Sequence, residues 1–292
     1  MALPRTAVRP VALTADEALK TAVEIRRRQE EAARWLREDP GSYLATVERH
    51  DFQHRSSLTV GRDTASDVRI DDPAIAPRHL VVTVTGDSFH VSAVDPRTSF
   101  RIGDLERRDA QTGPGFVDLG RYRLRLSHQG YPAIVLMDRE RLRSAGEVRR
   151  RYFPVDLSFR FVAPLVPAPR EDRVTIRSTR GNERPAVLVG WFELDIDGTS
   201  CRVWATRLLE PGVGEEKYGL YFRDRTTGRE TYPVGRYLDP ERREDGTYLV
   251  DFNLAYNPAC AFSPHYNCPI PSTENDLPVA IRAGEMTPHA AS

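Results

Sequence analysis

The spacing of apolar residues changes period once, near residue 40. Ala18, Ala22, Ile25, Gln29, Ala32 and Leu36 recur three and four residues apart, a narrow stripe on one face of an α-helix. Thr14 followed by Glu17 fits a capping box, and Asp39-Pro40-Gly41 stops the element, so a helix is expected over 14–39. Arg26, Arg27, Arg28, Glu30 and Glu31 lie largely off the stripe. The stripe suits docking on a domain of the same chain, or pairing with a second copy; its narrowness favours docking. Residues 1–13 carry Pro4 and Pro10 and no period, which reads as a loose arm.

From Tyr43 to about Asp138 the pattern is that of short strands. Leu58–Val60, Val68–Ile70, Leu80–Val84 and Phe89–Val91 are β-enriched near period two. Gly86-Asp87 fits a hairpin turn, and Val117 to Leu126 supplies further strand. The expectation is a small all-β sandwich over 43–138. Residues 139–151 are charged and poor in core positions, a connector. Strands resume at Ser158–Val162 and continue through Val174–Ile176 and Val187–Leu209, folded back at Asp197-Gly198. Tyr218–Asp224 and Glu230–Tyr237 flank Thr227-Gly228, another hairpin candidate. The fold class is therefore mainly β. The N-terminal helix and first sandwich are followed by a second β domain over 152–286, a barrel or bent sandwich.

Composition narrows the function classes. A chain of 292 residues accommodates two domains. Its 42 basic and 42 acidic residues cancel, so no basic surplus steers it to nucleic acid or an anionic membrane. No apolar run approaches a membrane span and the N-terminus lacks a secretory pattern, so the expected compartment is the cytoplasm. Three cysteines, Cys201, Cys260 and Cys268, make no disulfide framework. Cys260 and Cys268 are close enough in sequence to meet, although a reducing cytoplasm opposes a bond between them.

Gly61-Arg62, Ser66-Asp67-Val68 and His79 resemble the core of forkhead-associated domains. The resemblance implies a phosphothreonine reader using the arginine after the glycine, a serine three before the histidine, and a later asparagine. Such a set suits a dianionic phosphate, which takes a guanidinium fork plus hydroxyl and amide donors. Here the serine position is Ala76, and no asparagine precedes Asn182. With two of three groups missing, the expectation is a degenerate scaffold that does not take phosphopeptides, with His79 as a hydrogen-bonded structural residue.

The last quarter is compositionally distinct, holding Asn253, Asn257, Asn267 and Asn275 beside Pro258, Pro264, Pro269, Pro271 and Pro278. A polar, proline-dense stretch of this length inside a compact domain is usually functional or disordered; its aromatic and cysteine residues argue for order. Phe222-Arg-Asp-Arg-Thr-Thr-Gly228, Thr231-Tyr232, Gly235–Asp239 and Asp251-Phe-Asn253 are followed by Ala255–Pro258 and Cys260-Ala-Phe262. Cys268-Pro269, Glu274-Asn275, Leu277-Pro278 and Ala283-Gly-Glu285 complete the set. On these motifs the chain is identified as a member of the bacterial domain-of-unknown-function family 1684. That resemblance implies an architecture and a likeness of site, and no reaction.

Asp251 and Asn253 are two apart, which on a strand gives them one face. With Arg236, Tyr237, Tyr256, Asn257, Glu274 and Asn275 they form a candidate set for a small polar ligand. Asp251, Asn253, Tyr256 and His265 are the candidates if the same pocket runs acid–base chemistry as a hydrolase or lyase. The competing reading is that these side chains cap turns and satisfy backbone groups in a loop without a ladder. Cys260, His265 and Cys268 have ligand chemistry but no evident fourth partner, so no metal and no cofactor is expected. Without a recognisable catalytic constellation, a non-catalytic binding protein is the first reading.

Overall fold

The computed structural model describes residues 7–144 and 148–288; the first six residues of the expected arm and 145–147 of the expected connector lie outside the described residues. The chain divides into two compact units. One comprises Leu36–Gly146 and Glu210–Val213, the other Met1–Trp35, Glu147–Leu209 and Gly214–Ser292.

Helix α1 runs Ala15–Glu38. The capping box forms: Thr14 N and Oγ donate to Glu17 Oε2 at 2.9 and 2.7 Å, and Glu17 N donates back to Thr14 Oγ at 3.4 Å. The stripe faces inward at Ile25 and Gln29, which are buried. Gln29 Nε2 donates to the Asn253 carbonyl at 2.9 Å, and Gln29 O accepts from Tyr152 Oη at 3.2 Å. This part of the helix is thus docked within the second unit.

The first unit holds β1 (Thr46–Asp51), β2 (Ser57–Gly61), β3 (Val68–Arg69), β4 (Leu80–Thr85), β5 (Ser88–Ala93), β6 (Phe100–Ile102), β7 (Leu105–Arg107) and β8 (Asp109–Thr112). β9 (Gly115–Leu119), β10 (Tyr122–Ser127), β11 (Ala133–Asp138) and the short α2 (Arg141–Ser144) complete it. Two sheets, ordered β1-β11-β10-β9-β6-β7 and β3-β2-β4-β5-β8, close over a core that includes Phe52, Leu58, Val82, Phe89, Phe100 and Leu124. Alternating residues enter that core, as a sandwich requires. The further strand expected over 117–126 is a hairpin of β9 and β10, because Gly120 turns with φ +62°.

The second unit carries β12 (Arg160–Ala163), β13 (Val166–Arg177), β14 (Glu183–Ile196), β15 (Thr199–Leu208), β16 (Leu220–Phe222), β17 (Arg236–Leu238), β18 (Glu241–Arg242) and β19 (Tyr248–Asp251). They form three small sheets: β13-β14-β15, β12-β19-β18 and β16-β17. One core that includes Phe161, Phe192, Val203, Leu220, Phe222, Phe252 and Ile281 serves them. The last three 3₁₀ turns and the segment to residue 288 form no further strand, yet Val279, Ile281 and Ala283 are buried. The terminal tail is therefore an ordered wall of this unit. No helix among the described residues is long and apolar enough to cross a membrane.

Candidate functional site

Two places gather the residues singled out by the sequence, one in each unit. In the sandwich it is the loop rim where β2 ends. A Cβ on Gly61 would lie 2.2 Å from the Pro77 carbonyl, so only glycine lets the 75–79 loop seat there. That loop is pinned by Arg62 N to Ala76 O and Asp63 N to Pro77 O, both 3.0 Å. Arg62 is exposed, with Nε donating to Ile75 O at 3.3 Å. His79 is buried; its Nδ1 accepts from Ala76 N at 3.2 Å, leaving the protonated Nε2 to donate to Ser99 O at 3.1 Å. It is the structural histidine the sequence suggested. Thr98 Oγ is spent on the carbonyls of His79 and Asp95. Arg97 grips Asp95 through Nε and Nη2 at 3.0 and 2.7 Å, and that hydrogen-bonded guanidinium holds the Asp95 carboxyl well below its ordinary range.

In the second unit the centre is Arg236 on β17, only 1% exposed. A buried guanidinium is tolerated only with its donors paired. Nη2 meets Asp224 Oδ2 at 2.7 Å and Ile281 O at 2.8 Å, and Nη1 donates to the carbonyls of Ala283 and Glu285. Asp224 Oδ2 also accepts from Ile281 N at 3.2 Å, and Oδ1 from Thr226 N at 2.8 Å. Phe222 lies under the guanidinium at 5.3 Å. Burial pushes Arg236 below its ordinary value, opposed by Asp224. The chemistry is that of a clasp: one side chain holds three carbonyls of a segment with no ladder of its own.

Glu285 is the second anchor. It is fully buried, with Oε1 2.5 Å from Arg150 Nη1 and Oε2 accepting from Asn257 N. Burial raises this carboxyl, against the pull of Arg150. Asn257 Nδ2 donates to Met286 O at 2.8 Å. Gly284, at φ +78°, sits where a Cβ would be 2.6 Å from both the Phe252 and Ala255 carbonyls, so the tail can cross there only with glycine.

The remaining candidates have similar duties. Asp251, the last residue of β19, caps the turn after it by accepting from Asn253 N at 3.1 Å, and its other oxygen binds Arg160 Nη1. The Asn253 amide accepts from Asp156 N at 2.9 Å and donates to Asp156 O at 2.8 Å. Asn275 Oδ1 accepts from Trp204 N at 2.7 Å, and its Nδ2 donates to the carbonyls of Trp204 and Tyr221 at 3.0 and 2.9 Å. Glu274 beside it is exposed, its carboxyl lowered by its own backbone N–H and by Ser272. Arg236, Asp251, Asn253 and Asn275 are each committed to backbone or to a charge partner, and those partners differ from one residue to the next.

Tyr237 is buried, donates to the Pro269 carbonyl, and packs edge-on to Tyr256 at 5.9 Å. Tyr256 Oη donates to Asp239 Oδ2 at 3.1 Å, and burial raises Asp239. Tyr256 also lines a cavity of about 190 Å³ with Arg28, Gln29, Arg150 and Tyr152. Cys260 and Cys268 are unbonded but adjacent, with Cys260 N 3.3 Å from Cys268 Sγ. His265 is half-buried and already engaged. Among the described residues no three of His, Cys, Asp and Glu gather as a metal site.

Residues 149–286 match the family model described as protein of unknown function, DUF1684. That DUF1684 match spans a little under half of the chain. Residues 58–107 match the forkhead-associated domain model. No curated protein matches. Among solved structures, an uncharacterised Haloarcula marismortui protein is 30% identical, with 48% of this chain and 76% of that one covered at a TM-score of 0.39. A structure described by phosphothreonine-dependent forkhead-associated interactions is 17% identical, covering 28% and 76% at 0.22. Mycobacterium tuberculosis EmbR in complex with a low-affinity phosphopeptide is 13% identical, covering 44% and 32% at 0.23.

The forkhead-associated match corrects one expectation. Ala76 and the missing asparagine remove two contacts, which spoke against a phosphopeptide. Residues 58–107 match the model of a domain class that binds phosphopeptides, so that exclusion does not stand. In the DUF1684 domain, sequence reasoning passed over Asp224, Arg150, Asp156 and Arg160. Asp224 was visible within Phe222–Gly228, where Phe222, Asp224 and Thr226 serve the Arg236 clasp. Arg150 carried no signal, because a charged connector hides a side chain that is 6% exposed beneath Glu285.

Proposed function

We propose that this chain is a non-catalytic binding protein whose forkhead-associated domain takes a phosphorylated segment of a partner at Arg62. One observation carries the reading. Arg62 is exposed and anchored at Nε by the Ile75 carbonyl, while its terminal nitrogens have no protein partner among the described residues. A guanidinium held at its neck presents a preorganised fork to phosphate. Arg78, exposed in the same loop, adds a second positive charge. Phosphothreonine is the modified residue that the forkhead-associated resemblance implies.

The test is retention of the full chain on an immobilised degenerate phosphothreonine peptide library, against the same library unphosphorylated. Phosphate-dependent retention, lost in Arg62→Ala, is expected. Equal retention on both libraries, or an unaffected Arg62→Ala, removes the reading.

A second reading keeps a small polar ligand in the DUF1684 domain, favoured by the cavity beside Tyr256, where Arg28, Arg150 and Tyr152 offer donors. Asp251 and Asn253 spend their groups on Arg160 and Asp156, which weighs for binding over acid–base chemistry. Thermal-shift screening of metabolites on wild type and Tyr256→Phe tests it; melting curves unmoved by every compound would remove it. We place the protein in the cytoplasm, a compartment that suits three free thiols.

A further inference from the structure

Cys260 and Cys268 have no part in either binding reading, yet the fold brings them together with care. Cys260 is the middle residue of the 3₁₀ turn (Ala259–Ala261) that follows Pro258, and its N–H points at Cys268 Sγ from 3.3 Å. Cys268 is held from behind: its N–H donates to Thr179 Oγ at 3.1 Å and its carbonyl accepts from Thr179 N at 2.9 Å. Tyr232 Oη fixes the Cys260 carbonyl at 3.1 Å. The Cys260 thiol is half-buried and faces the Cys268 thiol and the hydroxyls of Tyr232 and Thr179. Cys268 is buried. Cys260 is the more exposed of the two residues, and Cys268 the buried one.

We propose that Cys260 and Cys268 are a reversible oxidation site, Cys260 reacting with a hydroperoxide and Cys268 resolving the product into an intrachain disulfide. In the first step the Cys260 thiolate attacks the terminal peroxide oxygen. The O–O bond breaks, sulfur gains the oxygen as a sulfenic acid, and the leaving oxyanion takes a proton and departs as alcohol or water. In the second step Cys268 sulfur attacks Cys260 sulfur; the S–O bond breaks and hydroxide leaves with the Cys268 proton as water. Two thiols lose two electrons and the peroxide gains them. A small thiol reductant reverses the bond by exchange.

The surroundings fit this division of labour. Hydrogen bonds from Cys268, Tyr232 and Thr179 lower the Cys260 thiol to about 7 against its burial, while donation to Cys260 and burial push Cys268 far up. Thiolate character belongs on the accessible sulfur, and the buried one keeps its proton until attack. Oxidation fastens the 260–268 loop to the strand end that already holds it, where Thr179 bonds Cys268 and Ser178 bridges Pro269.

The experiment treats the reduced full chain, carrying Cys201→Ser to silence the third thiol, with one equivalent of hydrogen peroxide, then reads intact mass and a peptide map. A loss of two hydrogens with a crosslinked 260–268 peptide, reversed by dithiothreitol, is expected. So is a sulfenate trapped by dimedone at Cys260 in Cys268→Ser. Without any change at 260 or 268, the rate of iodoacetamide alkylation at Cys260 should be half-maximal near pH 7, well below the ~8.5 of a free thiol. An intermolecular bridge, separate sulfinates on both sulfurs, or an alkylation profile of an ordinary thiol overturns the proposal.

Discussion

Arg236 and Asp224 meet at 2.7 Å with their side chains 1% and 0% exposed, one of the most deeply buried ion pairs in the DUF1684 domain. Removing the cation alone leaves a carboxylate stranded in the core. Arg236→Leu is therefore expected to cost about 3–5 kcal/mol, read as a lower urea midpoint. Arg236→Met with Asp224→Asn should recover part of that loss, because neither charge is then orphaned. A double variant no more stable than Arg236→Leu would show that the lost carbonyl contacts, and not the stranded charge, dominate.

Asn275 performs with one side chain what a strand would do with its backbone, covering Trp204 N, Trp204 O and Tyr221 O. Asn275→Ala uncovers all three and should lower stability by about 2 kcal/mol. Asn275→Asp keeps the acceptor for Trp204 N and loses the donors, so it should fall between. Urea denaturation followed by tryptophan fluorescence checks the order; alanine and aspartate variants within error of wild type would contradict the assignment.

What the sequence disclosed was local chemistry. The Thr14/Glu17 box, the Gly86-Asp87 turn and the Asp197-Gly198 turn, with Asp197 and Gly198 at φ +52° and +76°, are each set by neighbours in the chain. Thr227-Gly228 also turns the chain, but the strands around it are shorter than the pattern suggested. Asp224 takes Thr226 N for its own side chain, so the antiparallel pairing survives only at Leu220–Phe222 with Arg236–Leu238. The candidate tail was found by composition, and its polar side chains are buried against the chain's own backbone. Their partners were invisible, since a carbonyl at Ile281 or Asp156 has no residue type to announce it. An asparagine reads the same in sequence whether it serves a ligand or a backbone.

Asp67 gives the sandwich a pH signature. Burial raises its carboxyl, but the Thr59 N–H and hydroxyl, with Arg55, outweigh this and leave it below its ordinary value; the Thr59 contacts are both 2.8 Å. A carboxyl lowered by folding contributes stability that is fully present above its unfolded value, about 3.9, and is lost as pH falls through the folded one. Wild type should thus melt above Asp67→Asn at pH 6, with the gap closing towards pH 3. A gap independent of pH would mean that Asp67 acts by shape and not by charge.

Ala76 is where the forkhead-associated resemblance and the proposed function can be set against each other in one substitution. Its N–H is fixed on His79 Nδ1 and its carbonyl on Arg62 N, so the backbone that would carry a serine is already in place beside the Arg62 guanidinium. A hydroxyl added there supplies the second phosphate donor without rebuilding the loop. A hydrogen bond to a charged group contributes roughly 1.5–3 kcal/mol, so Ala76→Ser should tighten a phosphothreonine peptide at least about tenfold, measured by fluorescence anisotropy. The gain should vanish for the unphosphorylated peptide and in the Arg62→Ala background, since the hydroxyl helps only a phosphate that Arg62 has brought in. An Ala76→Ser variant that binds both peptides alike, or that gains nothing while Arg62→Ala still matters, would mean the phosphate does not reach this side of the loop.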